Sequence, residues 1–269
     1  MMESGDIMAS SFWSGEFYFN NIHSSIYKVC IVDVNESNVL KQVGSTFSIS
    51  MEEDFSLRGN AVHRETSKTL ENIVLQLCKT NNKPWTIGDI SEIIGWLFHN
   101  DFKKFQPTDL NNQGYNLIYY LKAIDFKKVL NANMEGYLEI TFKSYDGYVY
   151  AIPTYSLTVS SGETKSINSL SNINNIYYPK MKVMNSGDTT NTITIRNATT
   201  NNELVLSGMN SGATVIIDCA IGSVVNTNGK NRFSILKTFD FIGLNRGVNT
   251  ISLSNNCVIE FICEFPMII

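Results

Sequence analysis

The sequence predicts a mainly β protein with a single helix in its first half. Aromatic residues make up 11% and charged residues 17% of the 269 residues, which is typical of a folded, β-rich chain and not of a disordered one. Apolar and polar residues alternate along many short segments, as they do in half-exposed strands. One segment departs from this pattern and repeats its apolar residues with a helical period.

That helix is predicted near residues 86–99, directly after Pro84. Thr86, followed three residues later by Asp89, is typical of a helix N-terminus, because the Thr oxygen can accept a hydrogen bond from a backbone N–H of the first turn. The apolar face expected to pack on the core combines positions i, i+4, i+7 and i+8, which are Ile90, Ile94, Leu97 and Phe98.

The rest of the first half is predicted to be strands. Alternation favours strands beginning at Phe17 and spanning 27–34, 73–77, 115–124 and 137–142. The polar segment 51–68 contains Gly59 and indicates a long excursion or an exposed hairpin more than a core strand. These elements give a first domain of strands and one helix.

The second half is predicted to be an antiparallel β-sandwich. Short alternating strands follow one another beyond Pro179, and turn residues such as Asn228-Gly229 recur between them. The Ser- and Asn-rich stretch 160–175 is interpreted as a loop near a domain boundary. We therefore expect two domains, residues 1–152 and 153–269.

Charge and composition argue against several classes of partner. The net charge is −4 and the lysines are scattered, so neither a duplex-binding footprint nor a polybasic membrane patch is expected. No apolar stretch reaches the roughly 18 residues that a membrane helix needs. Residues 1–11 lack the features of a signal peptide, so folding in a cytoplasm is expected. The five cysteines form no CxxC pair, which favours free thiols.

Residues for catalysis, metal binding or cofactor binding are not predicted. Common nucleophile, phosphate and zinc motifs are absent from the sequence, and its three histidines, His23, His63 and His99, lie far apart. The run Glu52-Glu53-Asp54 could supply paired carboxylates for glycoside hydrolysis, but adjacent acids in a polar segment are more typical of a solvated edge. The expectation is a protein that is not an enzyme.

Sugar binding is the function that the sandwich itself suggests. Aromatic rings can cover the apolar face of a sugar while amides and charged groups bind its hydroxyls. The candidate contact residues are Tyr177, Tyr178, Asn245 and Arg246. A Tyr pair before a proline can equally pack at the edge of a core, and Asn-Arg-Gly is an ordinary turn, so both interpretations stay open.

An ordered set of motifs carries a family resemblance. Tyr178-Pro179 opens a strand, Ile216-Ile-Asp218 ends another, and Asn228-Gly229 follows. The stretch 241–251 is similar to a closing motif of an aromatic residue, Leu, Gly, Asn and Ile, in which Gly247 and Asn249 are interpreted as turn residues. Together these residues resemble the distal tail proteins of long-tailed phages with non-contractile tails.

The resemblance implies both a fold and a function. A ring-forming β domain would be followed by a galectin-like β-sandwich, and six copies would form a ring at the tip of the virion tail. Such a ring would join the tail tube protein to the tail-tip, fibre or receptor-binding proteins and let DNA pass, which the negative net charge favours. Specific nucleic-acid binding and membrane binding are not implied. The alternative function is a carbohydrate- or cell-wall-binding module at the tail tip.

Overall fold

A computed structural model describes residues 15–32, 45–56, 59–70, 72–108, 115–153, 157–160 and 162–268. These residues divide into two compact units. The first contains the described residues up to Tyr150 together with Ile268, and the second is Ala151–Met267. Strands dominate both units, as the composition predicts.

The first unit contains one antiparallel sheet, one helix and a separate hairpin. Its elements are β1 (Phe17–Phe19), β2 (Ile22–His23), β3 (Val29–Val32), β4 (Ser45–Ser56), β5 (Gly59–Leu70), β6 (Ile73–Lys79), α1 (Ile87–Leu97), β7 (Lys103–Pro107), β8 (Tyr115–Leu130) and β9 (Gly136–Ser144). The sheet has the order β2-β1-β7-β8-β9-β6-β3. Leu138, Ile140 and Phe142 of β9 are buried at alternate positions, as the sequence predicts.

One first-half strand begins later than predicted. The segment expected to be extended from Tyr27 instead starts with a 3₁₀ turn at Ser24–Tyr27, and β3 begins only at Val29. Lys28 between them has a φ of 54°, in the left-handed region, so the chain changes direction there. Local β-propensity at Tyr27 is overridden by this turn.

The helix begins where the sequence predicts. Thr86 is its N-cap: Asp89 N donates to Thr86 Oγ1 at 3.1 Å, and Thr86 N donates to Asp89 Oδ2 at 2.9 Å. This reciprocal pair is a capping box and satisfies two backbone donors that a helix start leaves without partners.

The buried face of the helix differs from the predicted one. Ile90 and Leu97 are buried as expected, but Ile94 and Phe98 are only partly buried against the core. Ile93 and Trp96 complete the buried face instead. The predicted set left out Ile93, three residues after Ile90, and Trp96, three residues after Ile93, although i+3 neighbours lie on the same face of a helix. Trp96 stacks on Phe17, with ring centroids 5.4 Å apart, and so joins the helix to the sheet.

Lowering the pH is expected to weaken the start of this helix. The Lys79 ammonium lies 2.7 Å from Asp89 Oδ2 and, with hydrogen bonds from Thr86, lowers the pKa of Asp89 from 3.8 to about 2. Because the folded state lowers this pKa, the contribution to stability is present above about pH 4 and is lost as the pH falls toward 2. Urea unfolding at a series of pH values should show this loss in the wild type and not in Asp89→Asn. Glu92→Gln, on the exposed side of the same helix, should keep it.

The second unit is built from two sheets. Its strands are β10 (Val149–Pro153, which begins in the first unit), β11 (Leu157–Ser160), β12 (Thr164–Ser169), β13 (Lys180–Asn185), β14 (Asn191–Asn197), β15 (Asn202–Met209), β16 (Thr214–Asp218), β17 (Ser223–Asn226), β18 (Gly247–Leu253), β19 (Cys257–Ile262) and β20 (Phe265–Met267). The sheets have the orders β11-β19-β13-β16-β17 and β12-β18-β14-β15, and β10 pairs with β20. Strands of both sheets bury alternate residues, which makes a β-sandwich.

The segment predicted as a loop at 160–175 contains a strand. β12 pairs along its whole length with β18, from Thr164 opposite Ser252 to Ser169 opposite Gly247. β12 lies at the edge of its sheet, and Ile167 is its only large buried side chain. An edge strand with one exposed face needs few apolar residues, so composition did not reveal it.

Candidate functional site

A long hairpin of the first unit forms a two-stranded sheet of its own. β4 and β5 pair over twelve residues each, from Ser45 opposite Leu70 to Ser56 opposite Gly59. Among the described residues this ribbon pairs with no other strand. At about 3.3 Å per residue it extends for about 40 Å. We call β4 and β5 the arm. The polar segment 51–68 lies within it, which confirms the expectation of a hairpin there.

In the second unit, Tyr177 packs within the fold and is not available as a free sugar platform. Its backbone forms an isolated bridge with Leu244, through hydrogen bonds of 2.9 and 2.7 Å. Its ring lies against Phe265, with centroids 5.0 Å apart, and its hydroxyl accepts a hydrogen bond from Glu264 N at 2.9 Å. Burial raises the pKa of this hydroxyl. These contacts match the packing interpretation of the Tyr pair.

The other candidate sugar residues lie near this bridge but are not equally accessible. Tyr178 and Arg246 are exposed, whereas Asn245 is partly buried and its backbone binds the Asn249 side chain. A sugar site needs acceptors and donors beside an open ring face. Tyr178 and Arg246 are the exposed members of the set, Asn245 is partly buried and Tyr177 is packed against Phe265, so the four residues do not form a single open constellation.

Asn249 is the centre of the loop that the family motif contains. The residue is fully buried, and its Oδ1 accepts from Asn245 N at 2.8 Å and from Asn197 Nδ2 at 3.2 Å. Its Nδ2 donates to Asn245 O at 2.8 Å and to Gly247 O at 3.0 Å. Gly247 has a φ of 80°, which favours glycine. Both residues shape the turn, and Asn197 is a partner that sequence inspection missed.

The remaining motif residues also form turns. Asp218 Oδ1 accepts from Ala220 N at 3.1 Å, and buried Pro179 accepts from Cys219 N at 3.1 Å through its carbonyl oxygen. Gly229 has a φ of 75°, whereas no side-chain hydrogen bond of Asn228 is present. The side chain that organises this turn is Asn226, which accepts from the backbone N–H groups of residues 228 and 230.

Residues 237–240 cover the outer edge of β15, and we call them the edge strap. Val205 N donates to Thr238 Oγ1 at 2.9 Å, and Glu203 N donates to an Asp240 carboxylate oxygen at 2.9 Å. Side-chain oxygens thus accept the backbone hydrogen bonds that a neighbouring strand would accept, and they block the pairing of another strand with this edge of β15. These hydrogen bonds join residues about 35 positions apart in the sequence, so no local sequence pattern predicted them.

The edge strap holds an aromatic residue in solvent. Phe239 lies between Thr238 and Asp240 and is 64% exposed. Its ring stacks on that of Phe233, which is 42% exposed, with centroids 5.4 Å apart and 29° between the planes. We call Phe233 and Phe239 the aromatic platform. Sequence inspection missed this pair, because residue type does not show whether an aromatic side chain is exposed.

A groove of about 370 Å³ lies beside the helix of the first unit. Its lining includes Tyr27 and Trp96, whose rings stack with centroids 4.4 Å apart, and Glu92 at the exposed side of the helix. His99 Nε2 donates to Trp96 O at 2.9 Å, which fixes the imidazole at the end of the helix. The groove therefore combines aromatic rings with a carboxylate.

The described part of the chain contains no metal-binding cluster and no membrane-spanning helix. No three His, Cys, Asp or Glu side chains there are grouped to hold a metal ion. No helix within the same residues is long and apolar enough to cross a membrane. All five cysteines are free; burial raises the pKa of Cys219 and that of Cys263 to about 12, so these thiols stay protonated at neutral pH.

Comparison by structure finds phage tail proteins. The chain resembles the SPP1 Dit (gp 19.1) protein, described as a paradigm of the hub adsorption apparatus in phages that infect Gram-positive bacteria, with a TM-score of 0.60, 12% identity and coverage of 93% of this chain and 98% of that one. It also resembles a chain of the phage P2 baseplate in its activated conformation with Ca, with a TM-score of 0.50, 12% identity and coverage of 91% and 97%. Identities this low show a shared fold only.

Comparison by sequence identifies the family. No curated protein matches the chain. Residues 12–145 match the model of a phage tail protein N-terminal domain, and residues 148–263 match that of a phage tail C-terminal domain. These two matches cover most of the 269 residues. The chain therefore belongs to this family of phage tail proteins, and its fold is that of the distal tail hub proteins that its motifs resemble.

Proposed function

We propose that this structural phage tail protein works as a homohexameric ring at the tip of the virion tail. The ring would join the tail tube to the tail-tip or receptor-binding proteins and let DNA pass through its centre. The SPP1 protein that this chain resembles is described as a hub, and the P2 chain belongs to a baseplate. Both likenesses support a position at the tip of the tail. The proposed role is structural and involves no catalysis.

The arm is the observation that carries the ring. An isolated two-stranded ribbon is marginally stable in water at best, and the arm pairs with no other described strand. Its two long edges pair with no described strand, so their backbone donors and acceptors are open to a further strand. Pairing with a second copy would satisfy these edges. A contact of this head-to-tail kind closes into a ring when its rotation allows.

The negative net charge supports passage of DNA. Each copy carries a formal net charge of −4 at pH 7. A ring of six such copies would repel phosphate, which keeps DNA from sticking to its wall.

Carbohydrate binding is less well supported than the structural role. Of its four candidate residues, Tyr177 is engaged in packing and Asn245 is partly buried, so the fully exposed set is small. A galectin-like fold by itself does not imply a lectin. No specific observation favours this function over the hub.

Native mass spectrometry and negative-stain microscopy of the purified protein test the ring. We expect a six-subunit species and ring-shaped particles. A variant lacking residues 48–54 and 61–67 shortens the arm by paired residues, so it keeps the register of the remainder and should not form rings. Circular dichroism should show that the wild type and this variant are both folded. A strictly monomeric wild type, or rings from the shortened variant, would contradict the proposed role of the arm.

A further inference from the structure

Two half-buried cysteines face each other across neighbouring strands of the first unit. The register of β3 with β6 places Cys30 directly opposite Cys78, and both thiols are free. Residues opposite each other in an antiparallel pair point to the same face of the sheet, with Cα atoms about 4.5–5.5 Å apart. This spacing lies within the range of about 4.4–6.8 Å that a disulfide spans. The two strands therefore already have the separation that a disulfide needs.

The two thiols are close enough to affect each other. Burial raises the pKa of Cys30, and the nearby carboxylate of Glu16 raises it further. Burial also raises the pKa of Cys78, with a further contribution from the facing sulfur of Cys30. Both shifts keep the thiolate fraction small at neutral pH, which suits a slow structural oxidation better than rapid catalytic exchange.

The cysteines of the second unit are not placed in this way. Cys219 and Cys263 directly follow β16 and β19, which lie on opposite sides of β13. Neighbouring strands are about 4.8 Å apart, so the Cα atoms of these two residues are separated by more than the roughly 7 Å that a disulfide allows. Cys257 lies opposite Asn185. Of the five cysteines, Cys30 and Cys78 are the two that strand pairing brings face to face.

Oxidation of this pair would cost little in hydrogen bonding. Cys78 Sγ donates to Gly136 O over 3.7 Å, a weak hydrogen bond that a disulfide would lose. The same carbonyl oxygen also accepts from Trp85 Nε1 at 3.0 Å, so it keeps a partner. A sulfur–sulfur bond can therefore form without leaving this backbone acceptor unsatisfied.

We propose that Cys30 and Cys78 form a disulfide once the virion has left the reducing cytoplasm, with a small-molecule disulfide as the oxidant. One cysteine thiolate attacks a sulfur of the oxidant and displaces one thiolate from it. The second cysteine thiolate then attacks the mixed disulfide and displaces the other. The two displaced thiolates take up the two protons, so one oxidant molecule is reduced to two thiols. Disulfides persist at virion surfaces, whereas cytosolic thiols are kept reduced.

The bond would close the segment of chain that carries the arm. β4 and β5 lie between the two cysteines in the sequence, and β3 is the last strand in the order of its sheet. A disulfide would tie this strand to β6 and would restrict residues 31–77 in the unfolded chain. We therefore expect oxidation to raise the unfolding temperature of the first unit by about 5–15 °C.

Thiol counting and peptide mapping of the full-length wild type test the bond. Reduced ¹⁴N- and ¹⁵N-labelled protein are mixed in equal amounts and incubated with oxidised glutathione at mildly alkaline pH. We expect the thiols titrated after denaturation to fall from five to three, because the bond consumes two. Digestion without reduction should give a peptide pair that joins Cys30 to Cys78 within one isotope. Five remaining thiols, glutathione adducts without this link, links through other cysteines, or mixed isotopic pairs would overturn the proposal.

Single serine variants separate the bond from a general effect of the oxidant. Calorimetry of Cys30→Ser and of Cys78→Ser should give the same unfolding temperature before and after oxidation. Cys257→Ser is the matched control in the second unit and should keep the gain of the wild type. Equal unfolding temperatures for the oxidised and reduced wild type would contradict the stabilising role. Because the bond lies within one copy, these outcomes do not depend on the ring, and a monomeric wild type should still form it.

Discussion

Replacing Phe261 by alanine is expected to lower the free energy of unfolding by about 3–5 kcal/mol. Phe261 lies in β19, which is an inner strand between β11 and β13, and it is directly opposite Met181. Only 4% of the residue is exposed. Truncation would remove a large apolar side chain and leave a cavity that the two neighbouring strands prevent from collapsing.

Urea unfolding followed by circular dichroism measures this effect. Ile262→Ala is the matched control because the next residue points to the other face of the same strand and is 46% exposed. We expect a loss of less than about 1 kcal/mol there. A loss of that size for Phe261→Ala would show that its ring does not contribute to a packed core.

Features encoded in neighbouring residues were predictable from the sequence. The capping box joins Thr86 to Asp89, which lies only three residues further along the chain, and the helix begins at the predicted place. Strands whose inward positions are all apolar, such as β9, were equally clear. In these elements local propensity and tertiary packing favour the same structure.

Features that depend on distant residues were not predictable. β12 is a strand only because β18 pairs with it across about eighty residues of sequence. Trp96 belongs to the buried face because Phe17 supplies a ring for it to stack on. The edge strap likewise needs β15 as its partner. One sequence contains these residues but does not show which of them meet.

The candidate functional residues were also predictable only in part. Polarity predicted a long excursion or a hairpin at the segment of the arm, yet the residue-by-residue pairing of β4 with β5 could not be read from it. Tyr177 and Asn245 were selected for sugar binding by residue type, and the structure uses them for packing and for a turn. Residue type alone does not distinguish an exposed aromatic from one with a buried partner.

Asn249→Ala is expected to lower the free energy of unfolding by about 2–4 kcal/mol. The buried amide makes four hydrogen bonds, two as acceptor and two as donor. Alanine would leave the backbone N–H and C=O of Asn245 and the C=O of Gly247 without these partners. Asn197 would keep its hydrogen bond to Gly243 O at 2.6 Å, so part of the network would survive.

Two comparisons make the Asn249 prediction specific. Asn228→Ala, at an exposed turn residue, should change stability by less than about 0.5 kcal/mol, since only its backbone is used. Asn249→Asp keeps the acceptor but sets a carboxylate against the two carbonyl oxygens that the amide now serves as donor, so we expect it to be at least as destabilising as alanine at neutral pH. Equal stabilities for Asn249→Ala and Asn228→Ala in urea unfolding would mean that the buried amide does not hold the loop, and that the turn depends on Gly247 alone.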